Sequence, residues 1–206
     1  MRPPLGVVLA PGYGGTAEQP IVRALAERLA AHGILARPIT FSTRGRRPSP
    51  DYTAELEDLR QARDGLLADG ASGVALVGRS FGGRMCALLA ADEPPTALVV
   101  LGYPIRPPGR QRPRDEAALI RLTCPTLVVQ GDRDAQGPIA VLREIAGQNP
   151  RIELVVLEGV GHQFAGARQA EAIERCVAWV AALKSWSRGA TAPHTWESAN
   201  ERHPHP

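Results

Sequence analysis

Six short apolar runs alternate with longer amphipathic segments along the chain. The runs are continuous, which is typical of strands buried on both faces of a parallel sheet. They lie at 5–10, 34–40, 73–77, 97–101, 126–130 and 152–157. The amphipathic segments carry apolar residues at helical spacing and predict helices at 17–31, 51–68, 81–91, 138–147 and 166–183, with at most a short helix at 115–122. Regular alternation of strands and helices predicts a parallel sheet with helices on both faces.

The periodic pattern stops after Lys184. We therefore expect one globular domain at 1–184 and a disordered tail at 185–206, where Ser, Pro, His and Trp follow no period. The tail histidines, His194, His203 and His205, are scattered and do not form a convincing metal site.

Composition narrows the possible partners and location. The net charge of +3 is too small to indicate nucleic-acid binding. No apolar run approaches the roughly 20 residues needed to span a bilayer, so no membrane partner is expected. The N-terminus resembles no signal peptide, and we expect a cytoplasmic protein. Arginine supplies almost all of the positive charge, as in GC-rich bacteria, and three cysteines at no metal-like spacing predict buried free thiols.

A serine at the apex of a sharp turn is the strongest chemical signal. Residues 78–83 read Gly-Arg-Ser-Phe-Gly-Gly, between a predicted strand and a predicted helix. A G-x-S-x-G turn at this place exposes the serine hydroxyl and leaves no room for side chains at its glycines. Ser80 is therefore a candidate nucleophile, although glycine and serine are also common in ordinary turns.

The partners that a serine nucleophile needs follow later in the chain. Asp134 comes after the fifth predicted strand and His162 after the sixth, and loops after parallel strands open on the same edge of the sheet. The order Ser, Asp, His is that of α/β-hydrolases, with His162 as base and Asp134 as the acid that orients it. Asp132 competes with Asp134 for the acid role, but it is also well suited to a turn.

Catalysis by an activated serine also requires an oxyanion hole. One backbone N–H should come from Phe81, the residue after the nucleophile. The second should come from the glycine-rich loop after the first strand, where Tyr13 is the preferred donor and Gly12 allows close approach of a substrate.

These motifs resemble those of small, lidless α/β-hydrolases of the KANSL-three/Tex-thirty type, which are related to dienelactone hydrolase. The resemblance runs from about residue 5 to residue 180 and rests on the stretches 9–15, 78–83, 102–104, 114–116, 130–134 and 161–162. It implies a three-layer α/β-hydrolase fold with about six mainly parallel strands, helices on both faces and no lid domain. It also implies Ser80, Asp134 and His162 as catalytic residues of an esterase or thioesterase without metal or organic cofactor.

Arginines in two loops that follow strands suggest the charge of the substrate. Loop 41–50 holds three of them and loop 102–114 holds four, and both loops should border the edge that carries Ser80. A cleft lined by one sign of charge concentrates ligands of the other sign, so the substrate is expected to be a small, anionic molecule. The alternative is that these arginines are simply solvated. Candidate substrate-binding residues are Gly12, Arg79, Tyr103, Arg106 and Arg110.

Two other functions compete with a serine hydrolase. Residues 12–17 fit the G-x-G-x-x-A pattern of dinucleotide-binding proteins, and Arg44 follows the next strand, where an NADP phosphate would be bound. This reading leaves Ser80, Asp134 and His162 unexplained. The third possibility is a non-catalytic scaffold that keeps the fold for partner binding. The sequence indicates no oligomeric state.

Overall fold

One parallel sheet of six strands forms the centre of the molecule, with the spatial order β2-β1-β3-β4-β5-β6. The computed structural model describes residues 3–183, and the predicted tail lies outside them. The strands are β1 (Gly6–Ala10), β2 (Leu35–Pro38), β3 (Val74–Arg79), β4 (Ala97–Leu101), β5 (Thr126–Gly131) and β6 (Ile152–Leu157). All five neighbouring pairs are parallel, so the α/β fold class is confirmed.

Helices cover both faces of the sheet. They are α1 (Pro20–Ala31), α2 (Thr53–Ala68), α3 (Phe81–Asp92), α4 (Pro113–Arg121), α5 (Ile139–Gln148) and α6 (Gly166–Leu183). Successive strand residues point to opposite faces. Val8 and Leu76 therefore pack with α2 to α5 in one apolar cluster, whereas Val7 and Val77 pack with α1 and α6 in the other.

The structure differs from the predicted pattern at the two edges of the sheet. Burial on both faces holds for the four central strands, but β2 is only four residues long and is partly exposed, and β6 is partly exposed along its middle. An edge strand has one neighbour instead of two, and its side chains reach solvent. Strand length and apolar content alone do not reveal this position in the sheet.

Helix boundaries also differ from the predicted ones. The helix predicted from residue 17 begins at Pro20, and the segment expected to be a short helix at most is a nine-residue helix, Pro113–Arg121. The helix predicted from residue 51 is preceded by a 3₁₀ turn, Pro50–Tyr52, in which Asp51 and Tyr52 have positive φ angles of 51° and 60°. Both residues therefore have a left-handed backbone conformation, which is strained for residues other than glycine, and they lie beside the cleft described below.

The strand order places the connections where a site can form. The chain moves to one side of β1 to form β2 and then to the other side to form β3, so the connections after β1 and β3 diverge. In open α/β sheets, ligands bind at such a divergence, beyond the carboxyl ends of the strands. Among residues 3–183, no helix has the length and apolarity needed to cross a bilayer.

Candidate active site

Ser80 stands at the apex of the turn between β3 and α3 in a strained conformation. Its φ and ψ angles are 50° and −111°, which non-glycine residues rarely adopt. The surrounding glycines are required because a Cβ on Gly78 would overlap the backbone of Gly83, and a Cβ on Gly82 would overlap the backbone of Ala10 and Pro11. The turn thus brings the start of α3 directly against the connection that follows β1.

Three predicted side chains meet at this turn. The Ser80 hydroxyl lies 2.8 Å from Nε2 of His162, and Nδ1 of the same ring lies 2.8 Å from Oδ2 of Asp134. His162 and Asp134 come from the connections after β6 and β5, so contact between them requires the parallel arrangement of these two strands. When Nδ1 carries the ring proton and donates it to Asp134, Nε2 is free to accept a proton from Ser80.

Asp134 is held as an ionised carboxylate by several donors. Its side chain is buried, and burial by itself would raise its pKa. The hydrogen bond with His162, the charge of this histidine, and the backbone N–H groups of Gln136 and Gly137 outweigh burial, so the pKa of Asp134 is lowered. Asp132 accepts a hydrogen bond from the Val160 backbone at 3.2 Å instead, and thereby secures the connection that carries His162.

Gln130 is a third, fully buried group in this network, and sequence reasoning assigned it no role. Its Nε2 donates to Asp134 Oδ2 at 2.8 Å and to the Gly137 carbonyl at 2.9 Å, while its Oε1 accepts from the Tyr103 N–H at 2.7 Å. Both N–H donors of the amide and one of its two acceptor positions are therefore used. A lone amide near the end of an otherwise apolar strand is the sequence signal that could have pointed to it.

Arg79 lines the cleft, but its guanidinium is hydrogen-bonded to backbone carbonyls of the protein. Its guanidinium donates to the carbonyl oxygens of Leu101 and His162, and it lies 5.1 Å from the ring centroid of Phe164. Burial lowers the pKa of Arg79 to about 10, and the negative charge of Asp134 only partly opposes this effect. Arg79 was predicted to bind substrate, whereas its contacts identify a residue that fixes the backbone of His162.

The connection after β1 and the start of α3 each carry one of the backbone N–H groups predicted for an oxyanion hole. The Gly12 N–H donates to Oε1 of Gln19 at 2.9 Å, which fixes the loop next to Ser80. Within residues 3–183, the backbone N–H groups of Tyr13 and Phe81 donate to no protein acceptor. Both residues line the cleft, and their rings make an edge-to-face contact with centroids 5.7 Å apart.

The cleft over Ser80 has a volume of about 410 Å³ and is open to solvent. Two of the predicted substrate-binding residues, Gly12 and Arg79, line it, together with Gln19, Arg84 and Arg112. The other three predicted substrate-binding residues, Tyr103, Arg106 and Arg110, do not line the cleft.

Tyr103 is fully buried, with its N–H bonded to Gln130 and its hydroxyl 3.4 Å from Asp115. The side chain of Arg106 is paired with Glu116 at 2.7 Å, and Arg110 is exposed outside the cleft. The structure therefore places none of these three predicted residues in the lining of the cleft, because side-chain direction depends on contacts made elsewhere.

A second cleft of about 360 Å³ lies next to the first, on the other side of Tyr13 and Phe81. Arg44, Arg46 and Arg47 line it, and all three are exposed. The loop that carries them is tied to α2, where the carboxylates of Glu55 and Asp58 accept hydrogen bonds from its serine and threonine residues.

The glycine-rich connection after β1 is poorly arranged for a dinucleotide. In the dinucleotide motif the glycines open directly into a helix, whose N-terminus holds the pyrophosphate. Here the connection turns at Gly14, with a φ angle of 70°, and α1 begins only at Pro20, three residues after Ala17. No group of three or more His, Cys, Asp or Glu side chains in the described part of the chain is placed to bind a metal ion.

Comparison with known proteins agrees with this geometry. A family model described as an alpha/beta hydrolase domain matches residues 4–186. The chain is 30% identical to the cutinase est1 of Thermobifida alba over 144 residues, which is 65% of this chain and 44% of that protein, so it spans less than half of this curated relative.

Solved structures show the same fold. An alpha-beta serine hydrolase homologue from Coxiella burnetii superposes with a TM-score of 0.70 at 25% identity, over 86% of this chain and 85% of that one. A serine hydrolase without a lid from Xanthomonas campestris gives 0.64 at 20% identity, over 93% and 86%. The match to the family model over nearly all of the described residues shows that the chain belongs to the α/β-hydrolase family.

Proposed function

We propose that the protein is a serine hydrolase that cleaves ester or thioester bonds of small substrates through an acyl-enzyme on Ser80. The observation that carries the proposal is the unbroken series of contacts from the Ser80 hydroxyl through both nitrogens of His162 to Asp134, each 2.8 Å long. The names of the relatives, a cutinase and serine hydrolases, support the same class of reaction.

Acylation begins when Ser80 Oγ attacks the carbonyl carbon of the substrate. His162 Nε2 takes the hydroxyl proton, and Asp134 stabilises the imidazolium that forms. The carbonyl oxygen becomes an oxyanion, to which the N–H groups of Tyr13 and Phe81 are available as donors. The intermediate then expels the alcohol or thiol, which takes the proton from His162 and leaves the acyl group on Ser80.

Deacylation repeats these steps with water as the nucleophile. His162 takes a proton from the water as it attacks the acyl-enzyme, and the same oxyanion donors serve again. Collapse of the second intermediate releases the carboxylic acid, and His162 returns its proton to Ser80. The strained turn and the fixed imidazole hold these atoms ready for reaction, which lowers the cost of orientation.

The open cleft favours small or exposed ester groups. In the part of the chain that the structure covers, only the nine-residue helix α4 lies between β4 and β5, so no large insertion covers Ser80. The chemistry assigned to these residues applies to oxygen and sulfur leaving groups alike.

Labelling with a fluorophosphonate tests the proposal directly, because this probe reacts with activated serines. We expect one adduct per molecule, located at Ser80 by peptide mass spectrometry. Ser80→Ala and His162→Ala should both abolish labelling, since one removes the nucleophile and the other its base. Ser72→Ala is the matched control, because Ser72 is an exposed serine bonded only to a backbone carbonyl.

Folded variants are required for a clear result, so circular dichroism accompanies each labelling reaction. Loss of the adduct in folded His162→Ala, with full labelling of Ser72→Ala, supports the proposal. A folded wild-type protein that is not labelled, and that hydrolyses neither 4-nitrophenyl acetate nor a simple thioester, would refute it. The non-catalytic scaffold would then be the better description.

A further inference from the structure

The wall of the nucleophile's cleft carries more positive charge than the protein neutralises. Arg79, Arg84 and Arg112 line the cleft, and no Asp or Glu of residues 3–183 does so. Behind this wall stand two carboxylates, Asp115 and Asp134, both buried. Asp134 is hydrogen-bonded to His162, so Asp115 is the carboxylate left to pair with Arg84 or Arg112.

Asp115 forms an ion pair with Arg84. Two nitrogens of its guanidinium donate to the two oxygens of Asp115, and the guanidinium stacks on the ring of Tyr52 at 4.5 Å from the centroid. The pairing holds the pKa of Arg84 above its ordinary value despite burial. Tyr52 itself has a left-handed backbone, so a strained residue supports this arginine.

Arg112 has no such partner. It is half-buried, and within the described residues the only hydrogen bond of its side chain runs from Nη1 to the Pro104 carbonyl at 2.6 Å. Burial, followed by the charge of Arg84, lowers the pKa of Arg112, and the carboxylate of Asp115 opposes this shift only in part. The guanidinium therefore borders the cleft with donors left over for a ligand.

The other three arginines at 102–114 have different surroundings from Arg112. Arg106 is paired with Glu116 and Arg114 lies 3.6 Å from Asp51, whereas Arg110 is exposed outside the cleft. Among the four arginines at 102–114, only Arg112 lines the cleft over Ser80.

We propose that Arg112, held beside the Arg84–Asp115 pair, binds a carboxylate of the substrate and makes the enzyme selective for acidic esters. The inference rests on the proposed hydrolase function. A planar guanidinium matches a carboxylate with two parallel hydrogen bonds, and partial burial strengthens this contact. An acidic substrate would supply the negative charge that this wall lacks.

Matched pairs of esters separate charge from size. Mono-4-nitrophenyl adipate and 4-nitrophenyl hexanoate have acyl chains of equal length but differ in a terminal carboxylate. 4-Carboxyphenyl hexanoate and phenyl hexanoate place the charge in the leaving group instead. The value of kcat/KM is measured for all four esters with wild type and three variants, which are Arg112→Gln, Arg112→Lys and Arg110→Gln.

Arg112→Gln keeps a donor for the Pro104 carbonyl but removes the charge. We expect it to lower kcat/KM for the acidic member of one pair by roughly 10- to 100-fold, the loss typical of a charged hydrogen bond. The neutral member should change by less than about threefold. Arg112→Lys should restore part of the loss, and Arg110→Gln, in the same loop, should change neither member. The pair that responds tells which side of the scissile bond carries the carboxylate.

Equal losses for acidic and neutral members of both pairs would overturn the inference, as would a wild type that hydrolyses only the neutral esters. Calorimetric titration with adipate at low salt needs no turnover and therefore separates this inference from the hydrolase function. Binding to wild type that weakens in Arg112→Gln but not in Arg110→Gln supports the carboxylate site even if no ester is cleaved. No adipate binding, or binding unaffected by Arg112→Gln, contradicts it.

Discussion

The buried amide of Gln130 gives the sharpest test of how the fold holds the candidate acid. Replacing it with methionine keeps a similar length and removes every hydrogen bond. Three partners lose a bond, namely the Tyr103 N–H, the Gly137 carbonyl and Asp134 Oδ2. The first two are left without a replacement, whereas Asp134 keeps His162 and two backbone N–H donors.

The size of the effect follows from these partners. A buried donor or acceptor left unsatisfied costs about 1–3 kcal/mol, and a hydrogen bond to a charged group contributes about 1.5–3 kcal/mol. The apolar methionine offsets part of this loss by burial. We therefore expect Gln130→Met to lower the free energy of unfolding by about 3–5 kcal/mol. With a urea slope of about 2 kcal/mol/M, the midpoint should fall by roughly 2 M.

Urea unfolding followed by circular dichroism measures the stability, and hydrolysis of a neutral ester measures the activity of the folded variant. Gln61→Met is the matched control, because this glutamine is exposed and bonds only to Glu57 on its own helix. Its stability should change by no more than about 0.5 kcal/mol. Equal midpoints for the two variants would refute the argument that the amide network stabilises the fold.

Three more changes probe other parts of the site. Arg79→Met should leave the free energy of unfolding within about 2 kcal/mol, because lost hydrogen bonds are offset by removal of a buried charge, yet lower kcat on the order of 100-fold by releasing the backbone of His162; an unchanged kcat would contradict its positioning role. Gly82→Ala should destabilise the protein in urea and reduce fluorophosphonate labelling, because its Cβ would collide with the carbonyls of Ala10 and Pro11; wild-type values in both assays would contradict the close approach. The folded pKa of Asp134 lies below its ordinary value of 3.8, so its ionisation stabilises the fold above that value and this contribution disappears as pH falls through the folded pKa. Acid unfolding should therefore be less steep in Asp134→Asn than in wild type over this range, and identical pH profiles would argue against a lowered pKa.

The turn that carries Ser80 was predictable because its geometry is local. A short apolar strand, a tight turn and a helix follow one another within about twenty residues. Glycine is required at two positions of the turn, because a Cβ there would overlap backbone atoms. Contact among Ser80, Asp134 and His162 was predictable for a related reason. Parallel strands bring the connections at their carboxyl ends to one edge of the sheet, so residues that directly follow different strands lie near one another.

The arginines show where sequence reasoning fails. Four arginines of the same chemistry lie within nine residues, Arg106, Arg110 and Arg112 before α4 and Arg114 in its first turn, yet they have four different surroundings. Which of them lines the cleft depends on partners such as Asp51, more than sixty residues away along the chain. Tyr103 was assigned to the substrate for the same reason, although its backbone is bonded to Gln130 on the next strand and its ring is buried.

Local periodicity and strand connectivity are readable in the sequence, and they were enough to derive the alternation of strands and helices, the turn at Ser80 and the order of its partners. The folded molecule was needed to show that the outer strands are partly exposed, that Arg79 holds the backbone of His162, and that Arg112 rather than Arg106 or Arg110 lines the cleft. Those outcomes depend on the direction of long side chains, which is set by ion pairs and hydrogen bonds between residues distant in the chain. Such contacts leave no periodic signal in the sequence.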